Sequence, residues 1–215
     1  MSDHSVRMRD ANALLRLAVQ TKDIHKLRLA IRGGADPNGN AIFDGRCPLD
    51  WAVATGSLTM VVALLEAGAR LTEPRVLALH LASERGDVDL LKALLQGGGG
   101  SIINRFDAEG LTPLMRAVKA SRTEAVAFLL QQNADVRARD VFVNEYALRL
   151  AAAESNLEIV KMLVAAGADP LRPARMSLTA LDRARERHTP EGRMIANYLE
   201  RVIAERSAPR KRARR

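Results

Sequence analysis

Leu58, Val61, Leu64 and Leu65 recur at the three- and four-residue intervals that line one face of a helix, with polar or small residues filling the gaps. The same spacing returns in residues 22–37, 86–100, 121–135 and 155–170. It is clearest in the run Ser155-Asn156-Leu157-Glu158-Ile159-Val160-Lys161-Met162-Leu163. Each of these segments predicts a helix with one buried face. Each ends on a residue that tolerates positive φ, namely Gly34, Gly68, Gly98, Asn133 or Gly167, where the helix has to stop.

A second pattern precedes the first. Cys47-Pro48-Leu49-Asp50-Trp51-Ala52 and Thr112-Pro113-Leu114-Met115-Arg116-Ala117 are alike, and weaker copies run over residues 13–18, 77–82, 146–151 and 179–184. Their closing alanines, Ala18, Ala52, Ala82, Ala117, Ala151 and Ala184, are separated by 34, 30, 35, 34 and 33 residues. A fixed period of about 33 residues marks a repeat architecture. Every unit therefore reads as helix, tight turn, helix and loop.

These units resemble the ankyrin repeat, with its Thr-Pro-Leu-His-like helix start, Leu-Glu-Ile-Val-like second helix and Gly-Ala-Asp end. The resemblance covers residues 11–188 and implies an all-α fold, a solenoid of helix-turn-helix units whose fingers are short loops or β-hairpins. No copy has the complete Thr-Pro-Leu-His start. The short step from the second copy to the third predicts a reduced or missing hairpin over Arg70–Arg75, and Gly97–Gly100 with Ser101, Ile102 and Ile103 lengthens the next connection. Since one helix pair of this composition cannot bury its apolar face alone, neighbouring units must stack and the ends need polar caps. Arg16, Lys22, His25, Lys26 and Arg28 supply charge at the start. Thr189-Pro190-Glu191 predicts a capped closing helix carrying Ile195, Tyr198, Leu199 and Val202. The expected organisation is a flexible N-terminus over 1–10, a repeat domain over 11–205 with five to six units, and a disordered basic tail over 206–215.

Composition agrees with a helical core. Of 215 residues 47% are hydrophobic but only 3% aromatic, so Leu, Ala, Val and Ile must do the packing. The formal charge of +8 is uneven: residues 1–110 carry 13 basic and 13 acidic side chains, 111–205 carry 14 and 12, and the last ten carry six basic and none acidic. Met1–Asp10 is polar, and nowhere do 18 apolar residues run together, so neither a signal peptide nor a membrane span is expected. The single cysteine, Cys47, excludes an intramolecular disulfide and suits a reducing cytoplasm.

No catalytic or metal constellation emerges. His4, His25, His80 and His188 have no i, i+4 pairing. His80 occupies the ankyrin histidine position, where the resemblance implies turn hydrogen bonds, and Cys47 reads as a small residue at a helix start. Gly97–Gly100 lacks the Gly-Lys-Ser/Thr ending of a phosphate loop and reads as a loose helix exit. Asp87 and Asp89 read as an exposed helix start. Neither an enzymatic activity nor a cofactor is expected.

The resemblance places partners on the loop tips and on the concave face of the first helices. Carried onto this chain, the tips are Phe43, Asp44 and Arg46, then Glu109 and Leu111, then Phe142, Val143 and Glu145, then Arg175. The groove positions are Glu84 and Arg85, Lys119, Glu154 and Arg187. Three of the four phenylalanines, Phe43, Phe106 and Phe142, lie in connecting loops. Phe106 is expected to fold back onto its neighbour, and Phe43 and Phe142 to anchor a partner. The leading reading is a monomeric, cytoplasmic protein-binding adaptor or inhibitor. The arginine preference and abundant alanine hint at a GC-rich, bacterial coding sequence, and stand-alone ankyrin proteins include immunity proteins that block a toxin. The alternative is a nucleus-directed or nucleic-acid-associated factor, with nucleic acid engaged only through the Pro209–Arg215 tail.

Overall fold

The computed structural model describes residues 3–39, 47–71, 77–140, 146–173 and 178–207, with side chains from residue 10 onward. All regular structure among the described residues is helical. The chain divides into two compact units, Met1–Asp107 and Ala108–Arg215.

The first unit holds α1 (Asp3–Thr21), α2 (Ile24–Arg32), α3 (Pro48–Ala54), α4 (Leu58–Glu66), α5 (Leu77–Arg85) and α6 (Val88–Gln96). The odd-numbered helices pack in one row, α1 on α3 and α3 on α5, and the even-numbered in another, α2 on α4 and α4 on α6. The second unit repeats this plan with α7 (Pro113–Lys119), α8 (Thr123–Gln131), α9 (Ala147–Glu154), α10 (Leu157–Ala165), α11 (Ala180–Glu186) and α12 (Pro190–Ser207). There α7 packs on α9, α9 on α11 and α8 on α10, while α12 closes over α10 and α11.

The six register alanines, Ala18, Ala52, Ala82, Ala117, Ala151 and Ala184, are all 0% exposed. They lie on the first helices, where a methyl group lets adjacent helices approach closely. The second helices supply the larger core residues, such as Leu90, Leu91 and Leu94 in α6 and Ile159, Val160 and Leu163 in α10. In α4 the buried face is Met60, Val61 and Leu64, whereas Leu58 is 38% exposed. Leu58 opens the helix, so its side chain stands at the rim of the stack.

Local chemistry fixes the helix ends. Asp23, Asp87, Thr112, Asn156 and Thr179 are N-caps whose side chains accept backbone N–H groups of the first turn. Each predicted stop position has positive φ: 89° at Gly34, 88° at Gly68, 105° at Gly98, 61° at Asn133 and 96° at Gly167. After α6 the chain makes a 3₁₀ turn over Gly99–Ile102, the loose helix exit expected of the glycine run. A Cβ at Gly99 would stand 2.8 Å from the Leu94 carbonyl oxygen. Much of Arg70–Arg75, where a reduced hairpin is expected, lies outside the described residues.

Both terminal boundaries shift outward. α1 begins at Asp3, inside the stretch expected to be flexible, so the expected boundary at residue 10 falls within a helix. α12 begins with the predicted cap, Thr189 Oγ1 accepting the Gly192 N–H at 3.1 Å, and buries Ile195, Leu199 and Val202. It then runs on through Arg206 and Ser207. Arg206 belongs to the fold because Nη1 donates to the Ala168 carbonyl at 3.0 Å and Nη2 to that of Val164 at 3.2 Å, where α10 ends. Residues 208–215 lie outside the described residues.

Candidate partner-binding surface

The short first helices present their C-terminal ends at equivalent places in each repeat, and the backbone carbonyls there have no acceptor role left inside the helix. Neighbouring repeats supply cations to these ends. At the end of α3, Lys22 Nζ donates to the Thr55 carbonyl at 3.1 Å and Arg85 Nη1 to that of Ala54 at 3.0 Å. In the second unit Arg187 Nη1 donates to the Ser155 carbonyl after α9, and the Ser121 and Ser155 hydroxyls lie 3.2 Å apart. A cation at a helix C-terminus is favoured by the helix dipole. Arg85 and Arg187, two predicted groove positions, are therefore clips between repeats as well as surface groups.

The other groove positions, Glu84, Lys119 and Glu154, are exposed on the ends of α5, α7 and α9. Of the tip positions, Glu109 is exposed and pairs with Arg116 at 2.8 Å. Leu111 departs from its expected role. It is only 5% exposed, so it serves the core of its unit and offers no surface to a partner. Its predecessor Gly110 has φ 76°. Phe106 is 38% exposed, while Ile102 and Ile103 in the same connection are buried. Phe43, Asp44, Arg46, Phe142, Val143, Glu145 and Arg175 lie outside the described residues.

Side chains with reactive groups have structural work. His80 is buried and its Nε2 lies 3.0 Å from the Arg105 carbonyl oxygen, a loop-holding hydrogen bond of the kind the histidine position implied. Cys47 is the N-cap of α3: its Sγ accepts the Asp50 N–H and Asp50 Oδ2 accepts the Cys47 N–H, both at 3.4 Å. Burial, with the Asp50 carboxylate behind it, pushes the thiol pKa up to about 11, so the group is a neutral thiol at neutral pH. Asp87 caps α6, and Asp89 pairs with Lys92 at 3.2 Å. Among the described residues no group of three or more His, Cys, Asp or Glu side chains is placed to hold a metal ion, and no helix is long and apolar enough to cross a membrane.

One feature of the second unit carries no repeat-level signature. A cleft of about 340 Å³ opens between Val136 and Arg137 on one repeat and Tyr146, Gly167, Ala168, Asp169 and Arg172 on the next. Arg172 Nη1 donates to the Arg137 carbonyl at 2.8 Å, its guanidinium carbon sits 5.8 Å from the Tyr146 ring centroid, and the Tyr146 hydroxyl donates back to the Arg172 carbonyl. In the sequence Arg137 and Arg172 look like any loop arginines, 35 residues apart. Their offsets after the stops differ, four residues from Asn133 to Arg137 and five from Gly167 to Arg172, so the repeat register does not pair them.

Comparison with known proteins agrees with this geometry. Residues 72–140 match the family model for ankyrin repeats (three copies), and residues 144–175 match the single ankyrin repeat. A protein named as a palmitoyltransferase in Danio rerio is 31% identical over 166 residues, 74% of this chain and 24% of the relative. The B-cell lymphoma 3 protein homolog of Mus musculus is 36% identical over 127 residues, 57% of this chain and 28% of the relative. The chain thus spans about a quarter of the length of these relatives. The crystal structure of the ankyrin repeat domain of Bcl-3 superposes with a TM-score of 0.74 at 27% identity, covering 91% of this chain and 86% of that one.

Proposed function

From the premise that this chain is an ankyrin-repeat protein, and so a protein-interaction module, we propose that it is a cytoplasmic adaptor or inhibitor that holds one protein partner on its loop tips and groove without chemistry of its own. The observation that carries the reading is the common register of the six fully buried alanines. Within the second unit it is accompanied by an ordered α7 and α9, from whose last turns Lys119 and Glu154 stand exposed. A surface ordered before binding gives up little conformational freedom on association. A bacterial immunity protein, blocking a cognate toxin, is the more specific form of this proposal and rests on analogy with stand-alone ankyrin proteins.

The test begins with capture from the native source by the full chain, followed by titration of the recovered protein against Glu84→Lys, Lys119→Glu and Glu154→Lys variants and against Phe43→Ala and Phe142→Ala. Weaker binding with unchanged melting supports the surface. Normal binding by all five, lost instead in Arg210→Ala/Arg212→Ala, rejects it in favour of the tail. The second reading, a nucleic-acid-associated factor, rests on the six basic residues among the last ten and requires a steep loss of binding with added salt.

A further inference from the structure

The cleft lies between the fourth and fifth repeats. Its walls are loop residues placed by two helix exits. Asn133 and Gly167, both at positive φ, end α8 and α10 and turn the chain so that Arg137 and Arg172 face the same opening. Arg137 is exposed, and its Nη2 lies over Gly167, 3.9 Å from where a Cβ would stand. Arg172 is half-buried and held by Tyr146 and by the Arg137 carbonyl. Asp135 and Asp169 each give one carboxylate oxygen to their own turn, Asp135 Oδ1 accepting the Arg137 N–H at 2.8 Å and Asp169 Oδ1 the Leu171 N–H at 3.0 Å, and the Asp135 charge also acts on Arg172. Burial first, and next the positive charge of Arg139, pull the Arg172 pKa downward, against the opposing pull of Tyr146 and Asp135.

We infer that this cleft is a receptor for a carboxylate side chain, an Asp or Glu of an acidic segment in the protein partner, clamped between the guanidinium groups of Arg137 and Arg172. The assignment rests on the protein-binding reading above and adds to it the chemistry of one contact. Planar guanidinium forks match the two oxygens of a carboxylate, and a volume of about 340 Å³ admits a side chain or two. A nucleic acid fits less well. The Tyr146 ring is only 2% exposed and is already covered by Arg172, so it offers no face on which a base could stack. Tyr146 instead acts as the positioning residue that keeps Arg172 aimed into the cleft.

The experiment is an NMR titration of the ¹⁵N-labelled full chain with N-acetyl-hexaglutamate amide. The matched hexaglutamine peptide, inorganic phosphate and a dodecathymidylate oligonucleotide serve as comparison probes. Saturable shifts of the Arg137, Gly167, Asp169 and Arg172 amides are expected with hexaglutamate and not with hexaglutamine. Arg137→Gln, at an exposed site where the fold is not at stake, is expected to weaken this binding about tenfold, the scale of a hydrogen bond to a charged group. Arg137→Lys keeps the charge, loses the fork, and should fall between the two. No saturable shift at these amides, or equal affinity in Arg137→Gln, overturns the assignment. So does phosphate or the oligonucleotide occupying the cleft at lower concentration than the peptide. If the cleft is untouched by peptide while a captured protein still binds the chain, the cleft assignment falls and the module reading stands. If peptide occupies the cleft but no protein is captured, the module reading falls and the cleft's preference for carboxylate stands.

Discussion

Glu191 Oε1 accepts the backbone N–H of Leu157 at 2.8 Å, so a side chain from the first turn of α12 caps the first residue of α10, 34 residues earlier. Asn156 covers the Ile159 N–H of the same helix at 3.0 Å. At the opposite end of α10, Arg206 covers the Val164 and Ala168 carbonyls. The closing helix thus meets α10 with an anion at its positive end and a cation at its negative end, the arrangement its dipole favours. Replacing Glu191 by Ala should lower stability by about 1 kcal/mol, the usual worth of an N-cap acceptor. Glu191→Gln, which keeps an acceptor, should lower it less. Thermal melts of the two variants check the order.

The Arg206 contact separates two truncations that would otherwise look alike. Ending the chain after Ser207 should leave melting unchanged. Ending it after Glu205 removes a cation from a helix C-terminus and should lower stability by about 0.5–1 kcal/mol, a modest figure because Arg206 is exposed. Equal melting of both truncations would show that the Arg206 hydrogen bonds contribute nothing measurable.

Ala117 and Ala151, each 0% exposed, stand where α7 and α9 meet their neighbours. Ala117→Leu or Ala151→Leu forces extra volume into a filled interface and should cost about 1–3 kcal/mol. Chemical denaturation measures this directly, with the exposed Lys119→Ala as a control that should stay near the parent value.

Cys47 gives a prediction in pH. Its thiol is held up to about 11 in the folded chain against 9.0 otherwise, so between those values the unfolded chain has lost a proton that the folded one keeps. Stability therefore falls as pH rises through that window, since the folded state binds more protons there. Cys47→Ser retains an N-cap acceptor and has no thiol to titrate, so its stability should decline less from pH 9 to pH 11. The same burial predicts slow labelling of Cys47 by thiol reagents at neutral pH, rising when the chain is unfolded.

What the sequence made legible was local or periodic. The alanine register shows as a period of about 33 residues, and the Thr189 cap and the positive-φ stops each involve residues a few positions apart. Their chemistry can be read without knowing what packs against them. Leu111 and Phe106 show where this ends: both are apolar residues in one connection, and nothing in their order says which turns inward. The clips formed by Arg85 and Arg187, the Glu191 and Arg206 contacts and the Arg137–Arg172 cleft escaped for a related reason. Each joins side chains to groups 31 to 42 residues away, at distances set only by the stacking of repeats. A solvated charge and a clip look the same in one dimension.

The end of α3, held by Lys22 from one side and Arg85 from the other, bears on how such a chain can change its length. Repeat arrays grow and shrink when recombination copies or drops a unit, and interchangeable units would make this harmless. Here the unit containing α3 is matched to both of its neighbours, and Gly56 beside it leaves room for the Arg85 guanidinium that a side chain would fill. Dropping that unit would leave Lys22 and Arg85 without the carbonyls they now hold, and copying it would leave each copy's helix end met by only one of the two. The order of the repeats is therefore written into their polar contacts, and a gain or loss of one unit requires matching substitutions in the two that flank it.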